Sequence, residues 1–181
     1  SVYSAPGAKA QRGEGASSGE LSGVEMLERE KMCIVQVLSA LLSYKECLSC
    51  ALQEGALDIV LHLVFSKDKI LAHETLRMLA ALLSHRKFCM VFIEAGGLQR
   101  LLDLPQMEYY ASSAALCLFS LAHFRGAIVE LCRQSAPSPS ELVAFVLRLF
   151  ALQDDVASTN VMQLLCKLLP YHQAFLRPFD E

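Results

Sequence analysis

Cations never gather in this sequence. Its Lys and Arg total 16 against 19 Asp and Glu, for a net charge of −3, and no basic cluster exceeds two neighbours. A nucleic-acid surface neutralises many phosphates from one patch, so that class of partner is disfavoured, and a charged membrane surface is disfavoured with it. Long apolar runs are missing too. The longest charge-free stretch, Tyr109 to Phe124, is sixteen residues and contains four serines or histidines. A membrane-spanning helix needs about 20 predominantly apolar residues. Residues 1–20 contain no apolar core of a secretory signal, and so point to the nucleus or cytosol. Phosphate-cradling glycine motifs are absent, and tryptophan does not occur.

What the chain does have is apolar material, 54% of all residues. Its distribution divides the chain in two. Residues 1–23 mix five glycines with alanine, serine and scattered charges. Such a composition buries too little apolar area to offset its ordering entropy, and reads as a flexible lead-in. From residue 24 to residue 181, leucine, alanine and methionine recur at helical spacing, and strand-like alternation is absent. Glycine and proline are confined to breaks at Gly55, Gly96-Gly97, Pro105, Gly126, Pro137, Pro139, Pro170 and Pro178.

The body is self-similar. Ala40-Leu41-Leu42-Ser43-Tyr44 leads to Gln53-Glu54-Gly55-Ala56-Leu57, and 41 residues later Ala81-Leu82-Leu83-Ser84-His85 leads to Glu94-Ala95-Gly96-Gly97-Leu98. A third copy starts at Leu121-Ala122-His123, and a fourth at Leu169-Pro170-Tyr171 ends, truncated, at Glu181. Periods of roughly 40–47 residues belong to armadillo and HEAT units. The expected fold is therefore all-α, an armadillo/HEAT-like right-handed solenoid of about three to four three-helix repeats. Unit two predicts helices over 86–94, 98–103 and 106–122, with Gly96-Gly97 supplying the left-handed residue of a sharp turn. Unit three has Gln134 to Pro139 in that place, which predicts a longer turn and a helix from about Ser140, capped by Ser138 or Ser140.

No constellation carries catalysis, and no cofactor or metal site is expected. Cys47-Leu48-Ser49-Cys50 is half of a zinc motif with no other half. Cys33, Cys89, Cys117, Cys132 and Cys166 lie in apolar runs and read as small buried hydrophobes. His85 and His123 recur at the end of long helices, where a histidine favours the helix dipole. Asp154-Asp155 reads as a helix cap. Phe65, Phe88, Phe92, Phe119, Phe124, Phe145 and Phe150 read as core, while one of Tyr109 and Tyr110 must face outward. In this architecture the third helices line a concave face. Aligning them gives a candidate partner-binding ladder of Gln36, His73, Glu74, Arg77, Ser112, Asn160 and Gln163. Receptors for basic import peptides carry tryptophan and asparagine in array on these helices. Here Asn160 is the sole asparagine, so an import role is disfavoured.

The ordered series Ala81-Leu82-Leu83-Ser84-His85-Arg86-Lys87-Phe88, Phe92, Gly96-Gly97-Leu98-Gln99-Arg100-Leu101-Leu102-Asp103-Leu104-Pro105 resembles the armadillo-like region of the Vpr-binding protein family, cullin-4-associated substrate receptors. The likeness continues through Ala115 to Phe119, Leu121-Ala122, Val129 to Cys132 and Ala174-Phe175-Leu176. It covers about residues 70–181 and is weaker over 24–69. It implies a protein-binding scaffold within a cullin-4 RING ubiquitin ligase receptor, with ligase subunits, substrates or a second copy as partners. In that family a WD40 propeller and an adjacent helical motif, both absent here, dock to the ligase adaptor. The chain thus reads as a fragment of a larger receptor that does not itself transfer ubiquitin. A generic armadillo adaptor unrelated to ubiquitination is the alternative.

Overall fold

The computed structural model describes residues 23–105, 107–134 and 139–170. It contains α1 (Gly23–Leu42), α2 (Lys45–Gln53), α3 (Ala56–Val64), α4 (Lys69–Leu83), α5 (Arg86–Glu94), α6 (Gly97–Leu102), α7 (Met107–Leu121), α8 (Arg125–Gln134), α9 (Pro139–Ala151) and α10 (Asp155–Leu168). Among the described residues the fold is all-helical, without strands. Two helices precede each of the long helices α4, α7 and α10; they are short except for α9, whose 13 residues nearly match the 14 of α10. Gly23, assigned above to the lead-in, is the first residue of α1.

The turns between the short helices follow from backbone sterics. Gly55 and Gly96, 41 positions apart, both adopt the left-handed conformation, with φ of 76° and 71°. A side chain there would cost about 1–2 kcal/mol. Gly97 does not share this role. It is the first residue of α6, and a Cβ on it would stand 2.5 Å from the fully buried ring of Phe92. One glycine turns the chain, and the other lets α6 close onto α5.

The long helices pack side by side. α4 packs against both α1 and α7, and α7 against both α4 and α10. The helices between them follow suit, α5 meeting α8 and α6 meeting α9. Packed on two sides, α7 needs apolar and small residues around most of its circumference. Tyr110, Ala111, Ser113, Ala114, Ala115, Cys117, Leu118, Ser120 and Leu121 are all buried. The small ones let α4 approach closely. Cys117 donates through Sγ to the Leu76 carbonyl at 3.4 Å, and Ser113 Oγ lies 3.3 Å from His73 Nδ1. Around this contact Leu71, Leu76, Leu79, Leu83, Phe88 and Phe92 have almost no exposure. Each such side chain contributes about 1.5–3 kcal/mol relative to exposure.

Several positions differ from expectation. Phe65 terminates α3 and is 41% exposed, because α3 turns its Leu57-Val60-Leu61-Val64 face inward instead. Cys33 and Cys166 are exposed, whereas Cys89 and Cys117 are buried as expected; the Cys132 side chain lies outside the described residues. His85 is not the end of α4 but the residue preceding α5, and its side chain caps nothing. His123 does reach back, with Nδ1 at 3.0 Å from the Phe119 carbonyl and 3.3 Å from that of Ser120, satisfying terminal acceptors of α7. Asp154 is the α10 cap, accepting from the Ala157 amide at 2.9 Å. The third unit's second helix starts at Pro139, a residue preorganised for a first helical position. Ser140 is therefore inside its first turn, while Ser138, the fourth copy from Tyr171 onward and residues 1–22 lie outside the described residues. Tyr109 is 59% exposed and Tyr110 is buried.

Candidate protein-interaction groove

Where α1, α4 and α7 lie side by side, they leave a groove of about 440 Å³. Val35, Gln36 and Ser39 of α1 form one wall. Glu74, Arg77, Met78, Ala80 and Ala81 of α4, with Ser84 just past its end, form the centre. Leu116 and Ser120 of α7 form the far wall. Val35, Met78, Ala80 and Ser120 are buried and make its floor. Polar groups stand around them.

Three of the seven ladder residues, Gln36, Glu74 and Arg77, come together here. Arg77 Nη1 lies 3.1 Å from Glu74 Oε1 and 3.4 Å from Oε2. The pair is one turn apart, with Arg77 exposed and Glu74 partly so, so it contributes little to stability and can be redirected to a ligand. The other four do not line the groove. His73 is turned toward Ser113 and joins α4 to α7. Ser112 is half-buried on α7, and on α10 Asn160 is half-buried and Gln163 exposed. The sequence reading also missed Ser39, Ser84, Leu116 and Ser120. Each lies one or two helical turns along from a ladder position on its own helix, so extending the ladder by helical spacing finds them.

Among the described residues no group of three or more His, Cys, Asp or Glu side chains is placed to hold a metal. Cys47 and Cys50 are exposed on α2. Burial pushes the Cys89 thiol up to about 11 and the Cys117 thiol higher still. Neither supplies a thiolate nucleophile near neutral pH. The groove offers hydroxyls, an amide, an ion pair and the part-exposed Leu116. No single helix among the described residues is long and apolar enough to cross a membrane.

Residues 25–135 match the family model of the Mahjong helical domain. The chain belongs to that family. Protein mahjong of Drosophila melanogaster is 32% identical over 123 residues, covering 66% of this chain and 8% of that protein. The protein named DDB1- and CUL4-associated factor homolog 1 is 29% identical over 151 residues in Caenorhabditis elegans, covering 82% of this chain and 9% of the relative. Its Arabidopsis thaliana namesake is 26% identical over 154 residues, covering 80% and 8%. The chain thus spans less than a tenth of the length of these relatives. No solved structure gives a significant match. The Mahjong match begins in α1 and ends beyond the last residue described in α8, so it includes residues 25–69 of the segment where the quoted likeness is weak. All of the α1–α4–α7 groove lies within it.

Proposed function

We propose that this chain is a protein-binding scaffold region of a substrate receptor for a cullin-4 RING ubiquitin ligase, and that the groove across α1, α4 and α7 is a partner-binding surface. The supporting observation is that the groove crosses three consecutive long helices entirely within the Mahjong-matched span. The relatives' names supply the ligase: two of them are designated as associated with DDB1 and CUL4. In this reading α1 to α10 form an armadillo-like right-handed solenoid, whose long helices line the concave side. It binds proteins rather than catalysing a reaction, needs no cofactor, takes no nucleic acid or membrane as ligand, and works in the nucleus, the cytoplasm or both. The ladder residues outside the groove, His73, Ser112, Asn160 and Gln163, serve as framework or as outer contacts for a longer ligand.

The test is affinity purification of the protein from its own cells with mass spectrometry of the eluate, comparing wild type with Gln36→Ala/Arg77→Glu/Leu116→Asp. The expected result is recovery of cullin-4 and its adaptor with both, and selective loss of a subset of other partners from the variant. An unchanged partner set removes the groove from the reading. Absence of cullin-4 from both eluates removes the ligase.

A further inference from the structure

A second cleft, of about 700 Å³, lies away from the first. It is lined by Lys69 at the start of α4, Leu104 and Pro105 at the α6–α7 corner, Glu108 and Tyr109 at the start of α7, and Arg148, Ala151 and Leu152 at the end of α9. None of these residues borders the first groove. Its lining brings together three features that fit one kind of ligand.

The first is charge. Two cations face one carboxylate, Glu108, in a chain that is net negative. Neither Lys69 nor Arg148 is in a salt bridge among the described residues. The second is order. Lys69 Nζ lies 4.2 Å from the centroid of the Tyr109 ring, and the Arg148 guanidinium 5.6 Å from that of Phe145. An aromatic face holds a cation in place without neutralising it. Both charges are thus positioned and still available, which lowers the entropy cost of binding an anion. The third is an apolar surface. Leu104, Pro105, Ala151 and Leu152 line the same cleft as the charges, with a tyrosine that is 59% exposed. Exposed aromatics and arginines anchor protein interfaces. Two cations are too few for a nucleic-acid footprint, which neutralises many phosphates along a track.

We propose that this cleft is a second docking site, one that takes an acidic protein segment: a carboxylate bound between Lys69 and Arg148, with a neighbouring apolar side chain packed on Leu104, Leu152 and the Tyr109 ring. Glu108 sets the selectivity by repelling segments with more than a few consecutive acids. The site is independent of the groove above, and either can fail without the other.

The experiment is an NMR titration of the full 181-residue chain. The probe is an end-blocked heptapeptide with leucine-proline-leucine at its centre and two glutamates on each side. A counterpart carries lysines in place of the glutamates. The glutamate peptide should shift the amides of Lys69, Glu108, Tyr109, Arg148 and Leu152, with binding weakened by added salt. Lys69→Glu/Arg148→Glu should lower the affinity at least tenfold, and Tyr109→Ala by severalfold, at unchanged far-ultraviolet circular dichroism. Glu108→Gln should tighten it. All four side chains are solvent-accessible, so folding survives these changes. The proposal is overturned by absence of shifts at millimolar peptide, by equal binding of the lysine counterpart, by indifference to the double charge reversal, or by shifts that map to Gln36, Glu74 and Arg77 instead.

Discussion

Gly96 and Gly97 are neighbours that need to be glycine for unrelated reasons, and the difference is measurable. Gly96 is left-handed with open space around it, so any side chain is penalised by backbone strain alone. Gly96→Ala should cost about 1–2 kcal/mol, insensitive to its surroundings. Gly97 has an ordinary helical backbone, and its Cβ would collide with Phe92. Gly97→Ala should cost about 1–3 kcal/mol through overpacking. Urea denaturation of Gly97→Ala, Phe92→Leu and the double variant should show strong coupling, the double costing clearly less than the sum, whereas Gly96→Ala with Phe92→Leu should be nearly additive. The sequence exposes the first reason, because a glycine repeating at a helix break signals positive φ. It conceals the second, which depends on α5 and α6 meeting face to face. Thiols carry a further prediction at this scale. Folding raises the Cys89 and Cys117 thiols above their ordinary value near 9, Cys89 to about 11. Between those limits the unfolded chain releases protons that the folded chain retains, so stability falls as pH rises. The urea midpoint should hold steady to about pH 8.5 and fall above 9, and a maleimide at neutral pH should label Cys33, Cys47, Cys50 and Cys166 while sparing Cys89 and Cys117.

Helix ends decide the elements, and this chain caps them unevenly. Asp68 accepts from the Ile70 amide at 2.9 Å and Asp154 from the Ala157 amide at 2.9 Å, each opening a long helix. The corresponding positions before α2 and α5 hold Tyr44 and His85, both in the extended conformation of a cap yet bonding nothing through their side chains. Asp154→Ala should therefore cost about 1 kcal/mol, and His85→Asp should gain about 0.5–1 kcal/mol, because the backbone of His85 already has the geometry an aspartate cap requires. Thermal denaturation measures both, and a His85→Asp variant that melts below wild type would show that its ring is needed where it is. The boundaries of α5 were legible from sequence for the same reason: a repeated leucine-rich end, a glycine turn and Pro105 punctuate that unit. Burial was less legible. Apolar runs around Cys33 and Cys166 look like core, but a helix with one covered face leaves part of any run outside. Which part depends on neighbours that a single run does not reveal.

Across the whole molecule, stability should follow the number of helices each long helix touches. Among the described residues α4 and α7 each have a long helix on either side, whereas α1 has only α4 and α10 only α7. In α1 the buried residues are Val35 and Leu42, and its first half holds none, while Val24, Met26, Leu27, Ile34, Val37 and Leu41 are exposed. In a chain whose repeats are stabilised by their neighbours, opening is easiest at helices with one covered side. Hydrogen exchange followed by mass spectrometry should therefore rank α7 and α4 as most protected and α10 as intermediate, with the first three turns of α1 exchanging fastest. Ala115→Leu, which wedges a larger side chain into the fully buried Ala115 position of α7, should cost about 1–3 kcal/mol and speed exchange in both α4 and α10. Ile34→Glu, on the uncovered side of α1, should leave exchange in α4 and α7 unchanged. The repeat offset in the sequence gave the order of these helices. It could not give the ranking, which follows from α7 replacing a polar face with alanine, serine and cysteine so that two long helices can close on it at once. If α1 instead exchanged as slowly as α7, its apolar face would be covered in solution, and the protection of Ile34 and Val37 would identify that face as an interface.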